Sequence, residues 1–187
     1  MKILVFGANG QVGLCLQDCS QFTNGHEFFF YEKSKCDIAN ISNLYNTINL
    51  IDPDLIINLA AYTNVDKAED QKDLAEKINS FAVGNLSKIC KEKEILLMHF
   101  STDYIFEGSE GTPYIENSSQ NPINFYGITK QRGEMALKES GCKYILIRTS
   151  WVFSEYGKNF LKTMLSIAQK KDEISVVLVG QGKEYKE

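Results

Sequence analysis

The sequence predicts an α/β protein built on a doubly wound parallel sheet. Three observations predict it: short apolar runs alternate with helical patterns, a glycine-rich turn follows the first run directly, and polar residues follow several later runs. A chain of 187 residues with 43% hydrophobic content is long enough for one substantial core and short for two complete domains. We therefore expect one domain over residues 1–177 and a divergent tail over residues 178–187.

The first element is a strand, turn and helix. A strand is predicted over residues 2–6, Gly-Ala-Asn-Gly-Gln-Val-Gly follows, and apolar residues then recur with helical spacing. The first glycine allows a tight turn, and the third lets the helix pack closely against the strand. The second glycine lets backbone N–H groups approach a pyrophosphate, which the positive N-terminus of the helix attracts. This order predicts a Rossmann fold of the short-chain dehydrogenase type, which binds a dinucleotide through Gly7, Asn9, Gly10, Gln11, Val12 and Gly13.

The second predicted strand, residues 27–31, ends beside the residues that would choose the cofactor. Glu32 lies nineteen residues after Gly13, where a dinucleotide fold places an acid on the ribose 2′-hydroxyl of NAD. The Lys-Ser-Lys sequence at residues 33–35 could instead hold the 2′-phosphate of NADP, and a solvated charged loop explains these residues equally well. The choice between NADH and NADPH stays open at this point.

Further cofactor contacts are predicted after the next two elements. Asp37 and Ile38 precede a helix that runs through residue 50, and the acid there could reach the adenine edge or simply cap the helix. A third strand, residues 55–61, is apolar enough to be buried on both faces. Small residues at its end would let a cofactor pass close by, so the candidates there are Ala60, Ala61 and Tyr62.

A long helix is predicted over residues 71–92, with an apolar face formed by Leu74, Ile78, Phe81, Leu86 and Ile89. Asn79 is the polar residue near that face. It would either kink the helix and hold a water of a proton relay, or be a hydrogen-bonded buried amide.

The fourth predicted strand, residues 95–100, runs into Ser-Thr-Asp-Tyr at residues 101–104. These polar groups reach the carboxyl end of a central strand, where open α/β sheets bind ligands, although an ordinary strand-end turn has the same composition. His99 is predicted to be a core histidine. A long loop over residues 107–122 could cover a substrate.

A tyrosine and a lysine share one face of the next predicted helix, residues 126–140. Tyr126 and Lys130 are one turn apart. A nearby cation would lower the tyrosine pKa from about 10 toward neutrality, which suits a general acid for a ketone. The same spacing joins Tyr31 to Lys35, but no helix face unites that pair, so position favours the later one.

The last predicted elements are a fifth strand at residues 143–148, a helix at 158–171 and a sixth strand at 174–177. Trp151 follows the fifth strand, where it would stack on a sugar or base or else fill the core.

Bulk properties exclude several function classes. A net charge of −4 gives no electrostatic footprint for nucleic acid, and no apolar stretch is long enough to span a bilayer. We expect neither nucleic acid nor membrane as a partner, and a cytoplasmic protein. The five scattered cysteines are predicted to be reduced, mostly buried thiols, with no metal site.

Five segments together resemble the dTDP-4-dehydrorhamnose reductase family of extended short-chain dehydrogenases. They are residues 7–13, 58–69 (NLAAYTNVDKAE), 101–108 (STDYIFEG), 126–130 (YGITK) and 148–152 (RTSWV). The resemblance covers residues 1 to about 177, and the segments are specific in combination although each alone is not.

The resemblance implies reduction of the 4-keto group of dTDP-4-dehydro-L-rhamnose to dTDP-L-rhamnose, for surface polysaccharide, with NADPH or alternatively NADH as cofactor. It implies that Tyr126 protonates the developing alkoxide, that Lys130 lowers the tyrosine pKa and holds the nicotinamide ribose, and that Thr102 hydrogen-bonds the carbonyl. It further implies that the substrate pocket is lined by Thr102, Asp103, Tyr104, Tyr126 and Trp151. The implied partner is a dTDP-sugar, with a homodimer as one option.

The end of the chain departs from the family pattern. Members continue after the sixth strand into a smaller C-terminal domain that binds the nucleotide sugar, and residues 178–187 do not follow that pattern. We therefore expect that domain to be largely missing, NADP(H) binding to be retained and turnover to be poor. Two alternatives stay open, an NAD-dependent nucleotide-sugar epimerase or dehydratase and a non-catalytic regulatory subunit. The intact Thr102, Tyr126 and Lys130 argue against the regulatory subunit.

Overall fold

Five parallel strands form the central sheet of the computed structural model. They are β1 (Lys2–Phe6), β2 (Glu27–Tyr31), β3 (Leu55–Asn58), β4 (Leu96–Thr102) and β5 (Tyr144–Thr149). Their spatial order is β2-β1-β3-β4-β5. The order reverses between β1 and β3, which makes the carboxyl ends of these two strands the expected ligand crevice of a doubly wound sheet.

The structure describes residues 1–109 and 111–170 in full and the backbone of residues 179–180 and 183–184. The helices are α1 (Gln11–Ser20), α2 (Ile41–Ile51), α3 (Val65–Ala68), α4 (Lys72–Glu76), α5 (Ala82–Glu92), α6 (Phe125–Glu139) and α7 (Phe160–Ala168). Val179–Gly180 pairs antiparallel with Lys183–Glu184. The predicted sixth strand at 174–177 lies outside the described residues, as does most of the predicted tail.

The core lies on both faces of the sheet because successive side chains of a strand point to opposite faces. Leu4 and Phe6 of β1 belong to a cluster on one face, together with Leu44 of α2 and Leu86 of α5. The alternate β1 residues join a smaller cluster on the opposite face, against which Leu16 of α1 packs. Burial on both faces explains why the central strands are continuous apolar runs.

Most predicted elements are confirmed within a few residues, but the third strand is shorter than predicted. It ends at Asn58 and not at residue 61. The Asn58 side chain accepts a hydrogen bond from the N–H of Ala60 at 3.2 Å, and its Nδ2 contacts Nδ1 of His99 at 3.1 Å. The chain therefore turns at Asn58. His99 is fully buried, which confirms the prediction of a core histidine.

The apolar face predicted for residues 71–92 is wrong at two positions. Leu74 is 41% exposed and Phe81 is 64% exposed, whereas Leu86 and Ile89 are buried. A π-helical turn, Lys77–Phe81, separates α4 from α5. Such a turn inserts one extra residue into the helix and rotates the following residues relative to the preceding ones. A face continuous over the whole segment is therefore impossible.

Within residues 1–109 and 111–170, no helix combines the length and the apolar character needed to cross a membrane. All five cysteines are free thiols, and Cys36, Cys90 and Cys142 are buried, as predicted for most of them.

Candidate functional site

The glycine-rich turn has the close backbone contacts that its spacing predicts. Gly7 has φ +80°, and a Cβ there would lie 2.6 Å from the N atom of Ala60. A Cβ on Gly13 would lie 2.5 Å from the carbonyl oxygen of Ala8. Neither position has room for a side chain, so the turn packs directly on the end of β3 and on α1. Gly10, between them, is exposed.

The N-terminus of α1 differs from those of α2, α3, α6 and α7, which have side-chain caps. In the described part of the chain, no side chain caps α1, whose N-cap is Gly10. Asparagine side chains accept hydrogen bonds from first-turn N–H groups in α2, α3, α6 and α7, through Asn40, Asn64, Asn124 and Asn159. The first-turn N–H groups of α1 are thus left for a ligand. Together with the helix dipole, the first-turn N–H groups of Gln11, Val12 and Gly13 suit the pyrophosphate of a dinucleotide, whereas the N–H of Gly10 donates to the carbonyl oxygen of Gly7. The contacts of Asn9 and Gly10 with the cofactor stay a prediction.

The acidic residue predicted to contact the ribose lies beside this turn. The N–H groups of Gly7 and Ala8 donate to the carbonyl oxygen of Tyr31, which brings the following Glu32 to the turn. The Glu32 carboxylate accepts from Asn9 Nδ2 at 3.5 Å and from the hydroxyl of Ser34 at 2.6 Å. A carboxylate and a hydroxyl thus meet at the position predicted to face the adenine ribose, where NAD and NADP differ.

The two predicted contacts in the segment after β2 have different surroundings. Asp37 accepts at Oδ1 from the N–H of Ala39 at 2.9 Å, and its other oxygen lies 3.9 Å from the Lys33 ammonium. This carboxylate remains partly accessible. Ile38 is 4% exposed and packs in the core. The side chain of Ile38 is therefore not available to a cofactor.

The loop after β3 is tied to α6 through one amide. Asn79, in the π-helical turn, accepts from the N–H of Tyr62 at 2.9 Å and donates to its carbonyl oxygen at 3.0 Å. It also donates to Thr129 Oγ1 of α6 at 3.1 Å. Asn79 is therefore a hydrogen-bonded buried amide, the second of the two predicted alternatives. It holds the loop containing Ala60, Ala61 and Tyr62 against α6.

The π-helical turn lets the helices approach closely. A Cβ on Gly133 of α6 would lie 2.1 Å from the carbonyl oxygen of Asn79. The absent side chain brings α6 against the turn, so the glycine loop, the end of β3 and α6 form a continuous packed unit. Sequence reasoning singled out Asn79 but missed Gly133, whose only signal is a small residue on a buried helix face.

Hydroxyl and phenol groups meet at the carboxyl end of β4. Thr102 ends β4, and its hydroxyl lies close enough to the Tyr126 phenol, near the start of α6, to lower the pKa of that phenol. The same hydroxyl donates to Asp103 Oδ1 at 3.0 Å and accepts from the N–H of Tyr104 at 3.2 Å. The Tyr104 ring packs edge to face on Tyr126, with centroids 5.7 Å apart. Four predicted site residues are thus brought together.

The expected lowering of the Tyr126 pKa is wrong in this structure. Burial raises the pKa of the phenol above its ordinary value of 10, against a smaller lowering by the hydrogen bond with Thr102. The negative charge of Asp103 adds to the increase. Lys130 does not reverse the shift, and its Nζ donates to the carbonyl oxygen of Phe100 at 2.7 Å. Tyr126 is therefore fully protonated at neutral pH, the state that a proton donor requires.

Lys130 is an almost fully buried ammonium, with 2% of its surface exposed. Burial lowers the pKa of Lys130 from 10.5 to about 8, and the nearby charge of Glu134 opposes this shift. A lysine this deep is uncommon, because an ion loses its hydration on burial. Such a residue in a cleft is a candidate functional group.

A buried ion pair supports the same helix, and sequence reasoning missed it. Glu134 is completely buried and accepts from Arg148 Nε at 3.0 Å, from Arg148 Nη2 at 2.8 Å and from Gln120 Nε2 at 2.9 Å. Burial raises the pKa of the Glu134 carboxyl, but the hydrogen bonds and positive charge of Arg148, together with hydrogen bonds from Ser101 and Gln120, leave that pKa below its ordinary value. Arg148 also donates to the carbonyl oxygen of Glu116 at 2.9 Å. The pair therefore anchors the loop between β4 and α6. The available signal was an acid one turn after Lys130.

A cleft opens next to these residues. It has a volume of about 640 Å³ and is lined by Asp103 and by residues of the β4–α6 loop and the end of β5, including Tyr114, Arg148, Thr149 and Ser150. Cavities of this size bind small molecules. Trp151 follows Ser150, is 67% exposed and packs edge to face on Phe160, with centroids 5.0 Å apart. It is therefore not a core residue, and its contact with substrate stays a prediction.

Comparison with known proteins gives one consistent result. Residues 1–183 match the family model described as "RmlD substrate binding domain". The chain is 40% identical over 179 residues to the dTDP-4-dehydrorhamnose reductase of Escherichia coli K12, and 40% identical over 177 residues to that of Burkholderia thailandensis. Both matches cover 95% of this chain but only 60% and 59% of the relatives. The chain thus spans about 60% of the length of these curated relatives.

Solved structures agree with the sequence matches. A dTDP-4-dehydrorhamnose reductase from Clostridium acetobutylicum has a TM-score of 0.90 at 38% identity, covering 95% of this chain and 62% of that one. The corresponding enzyme from Bacillus anthracis, solved in complex with NADP, has a TM-score of 0.88 at 39% identity, covering 94% and 62%. A UDP-glucose 4-epimerase from Brucella ovis, at 22% identity and a TM-score of 0.72, shares the fold alone.

Proposed function

This chain belongs to the dTDP-4-dehydrorhamnose reductase family, and from that premise we propose that it binds NADPH and supplies the acid catalysis for reduction of dTDP-4-dehydro-L-rhamnose. The product would be dTDP-L-rhamnose, and NADH is the alternative cofactor. One observation carries the proposal: the Tyr126 phenol is held near the carboxyl end of β4, where its ring packs on Tyr104 and the Thr102 hydroxyl is close enough to lower its pKa. Lys130 follows one turn along the same helix.

The cofactor half of the proposal rests on the turn before α1. The uncapped first turn of α1 would bind the pyrophosphate, and Glu32 with Ser34 would face the adenine ribose. Ala60, Ala61 and Tyr62 would line the path toward the nicotinamide. When bound, the cofactor supplies a hydride to the carbonyl carbon of the sugar. The NADP complex of the Bacillus anthracis relative supports NADPH as the first choice.

The chain's own residues would supply and control the proton. Tyr126, protonated because burial raises the pKa of its phenol, would donate its hydrogen to the keto oxygen as negative charge develops there. Thr102 would contact the same oxygen and fix its position. The resulting phenolate would form one helical turn from Lys130 and then regain a proton from solvent. Asp103, Tyr104 and Trp151 would contact the sugar nucleotide.

The compartment and the assembly are further parts of the proposal. A cytoplasmic location is supported by the five free thiols, since disulfides are rare in reducing compartments. A homodimer is supported by exposed apolar residues on the neighbouring α4, π-helical turn and α6, namely Leu74, Phe81 and Met135. Sedimentation velocity tests the homodimer, which a monomer at micromolar concentration would contradict.

The reductase proposal is tested by NADPH oxidation with dTDP-4-dehydro-L-rhamnose, followed at the nicotinamide absorbance band. We expect Tyr126→Phe to reduce turnover by roughly 10²–10⁴-fold, the usual contribution of a positioned acid, while leaving the NADPH Kd unchanged. Turnover that survives in Tyr126→Phe would contradict the assignment of the acid. Failure of the unaltered chain to bind NADPH, measured by nicotinamide fluorescence, would contradict the cofactor proposal.

A further inference from the structure

One amide side chain links the glycine-rich turn to the segment that carries Trp151. Gln11, the first residue of α1, donates from Nε2 to the carbonyl oxygen of Val152 at 2.9 Å. Its Oε1 accepts from Asn159 Nδ2, also at 2.9 Å. Both ends of the amide are used. A carboxylate or an apolar side chain has no equivalent pair of donor and acceptor.

The two partners of Gln11 are the sequence neighbours of an aromatic pair. Val152 follows Trp151, and Asn159 precedes Phe160. The rings of Trp151 and Phe160 pack edge to face at an interplanar angle of 66°. Gln11 therefore holds both ends of the segment 151–160, from which the two rings project.

The backbone at Trp151 depends on such support. Its φ is +49°, in the left-handed region that costs free energy for any residue with a Cβ. Strained backbone persists only where surrounding contacts hold it. The indole is 67% exposed, so burial of the ring contributes little. The hydrogen bond at the next carbonyl, that of Val152, acts directly beside the strained residue.

The same segment is attached to α1 at a second point. The hydroxyl of Tyr156 donates to a carboxylate oxygen of Asp18. Asp18 lies seven residues after Gln11, which is about two turns along the same side of the helix. Asn159 completes the arrangement by donating to the carbonyl oxygen of Ser154 at 2.9 Å and by capping α7. The segment therefore lies along α1.

We propose that Gln11 is a positioning residue, whose side chain orients Trp151 and so couples cofactor binding at α1 to the substrate side of the site. Its backbone belongs to the uncapped first turn, and its side chain belongs to the Trp151 segment. A ligand that moves or rigidifies this turn also moves or rigidifies the indole. The inference rests on the proposed function, which assigns the turn to the cofactor and Trp151 to the sugar.

The experiment uses the intrinsic fluorescence of Trp151, the only tryptophan in the sequence. Anisotropy and emission wavelength are measured without ligand and then during titration with NADP⁺. In Gln11→Ala we expect lower anisotropy in the free protein and loss of the NADP⁺-induced change in emission. Asn159→Asp keeps an oxygen for the α7 cap but removes the donor both to Gln11 and to the carbonyl oxygen of Ser154. Its effect on Trp151 should therefore be at least as large as that of Gln11→Ala.

The matched control is Ser20→Ala. Ser20 lies at the other end of the same helix, and its hydroxyl donates to the carbonyl oxygen of Gln17 at 2.7 Å. This variant loses a side-chain hydrogen bond to backbone of a similar kind but, within residues 1–109 and 111–170, no hydrogen bond to the cofactor turn or to the Trp151 segment, so the anisotropy of its free form should equal that of the unaltered chain. Far-UV circular dichroism confirms that each variant is folded, and Gln11→Glu replaces Gln11→Ala if that variant is not.

The outcomes separate this inference from the proposed function. NADP⁺ binding with an unaltered Trp151 response in both the Gln11 and Asn159 variants would overturn the inference and leave the cofactor proposal standing. Lower anisotropy in the free variants would support the contact by which Gln11 orients Trp151. If the unaltered chain nevertheless did not bind NADP⁺, both the coupling and the cofactor proposal would be overturned.

Discussion

Replacement of Lys130 by methionine should stabilise the fold at neutral pH while removing a residue of the proposed catalytic set. Lys130 is 2% exposed, and burial lowers its pKa from 10.5 to about 8. The difference corresponds to a cost of about 3 kcal/mol for keeping the ammonium charged in the folded state at pH 7. Methionine has a similar length and no charge. It loses the hydrogen bond to the carbonyl oxygen of Phe100, worth about 1 kcal/mol. We therefore expect a net gain of about 2 kcal/mol.

The stability gained by Lys130→Met should depend on pH. Between pH 8 and pH 10.5 the unfolded chain holds a proton on Lys130 that the folded chain has lost. The stability of the unaltered chain therefore rises with pH in that window, by at most about 1.4 kcal/mol per pH unit. Lys130→Met lacks this contribution, so its advantage should be full below pH 8 and disappear toward pH 10.5.

Urea unfolding at pH 7, 8, 9 and 10 measures both effects. The control is Lys138→Met on the same helix, whose ammonium is 45% exposed and lies 3.8 Å from Glu134. Since partly exposed ion pairs contribute little, we expect the control to change stability by less than about 0.5 kcal/mol. A Lys130→Met protein less stable than the unaltered chain at pH 7 would refute the reasoning. It would mean that Lys130 is a structural residue.

Two further predictions concern packing near the site. Gly13→Ala places a Cβ 2.5 Å from a backbone carbonyl oxygen, so it should lower the free energy of unfolding by about 2 kcal/mol or more and weaken NADPH binding. The control is Gly111→Ala, whose Cβ would have nothing within 4 Å, and which should change neither stability nor NADPH binding. Glu134→Gln leaves Arg148 without its counter-ion and should cost about 3 kcal/mol in urea unfolding, whereas Glu134→Leu combined with Arg148→Met should cost much less. A double variant as unstable as the single one would show that the charges themselves are required.

Local features of the fold were predictable because they depend on neighbours in the sequence. The strand, turn and helix around residues 7–13 need only apolar runs and glycines at a fixed spacing. The Tyr126 and Lys130 pair needs only the helical period. Parallel strands end at one edge of a sheet, so the meeting of Thr102 with Tyr126 also followed once the strands were recognised.

The remaining features could not be predicted, because they depend on groups distant in the chain. The partners of Gln11 lie 141 and 148 residues away, and those of Asn79 include Thr129, 50 residues away. A helical period assumed to be regular placed Phe81 inward, but the π-helical turn that accommodates Gly133 turns it outward.

The sequence by itself determined the order of strands and helices, the family and the identity of the groups that reach the carboxyl ends of the strands. Only the tertiary structure decided their chemical state. The pKa of Tyr126 is raised and that of Lys130 is lowered because both groups lose contact with water when α6 packs against β4. Desolvation depends on everything that surrounds a group in space, and no pattern of sequence neighbours contains that information.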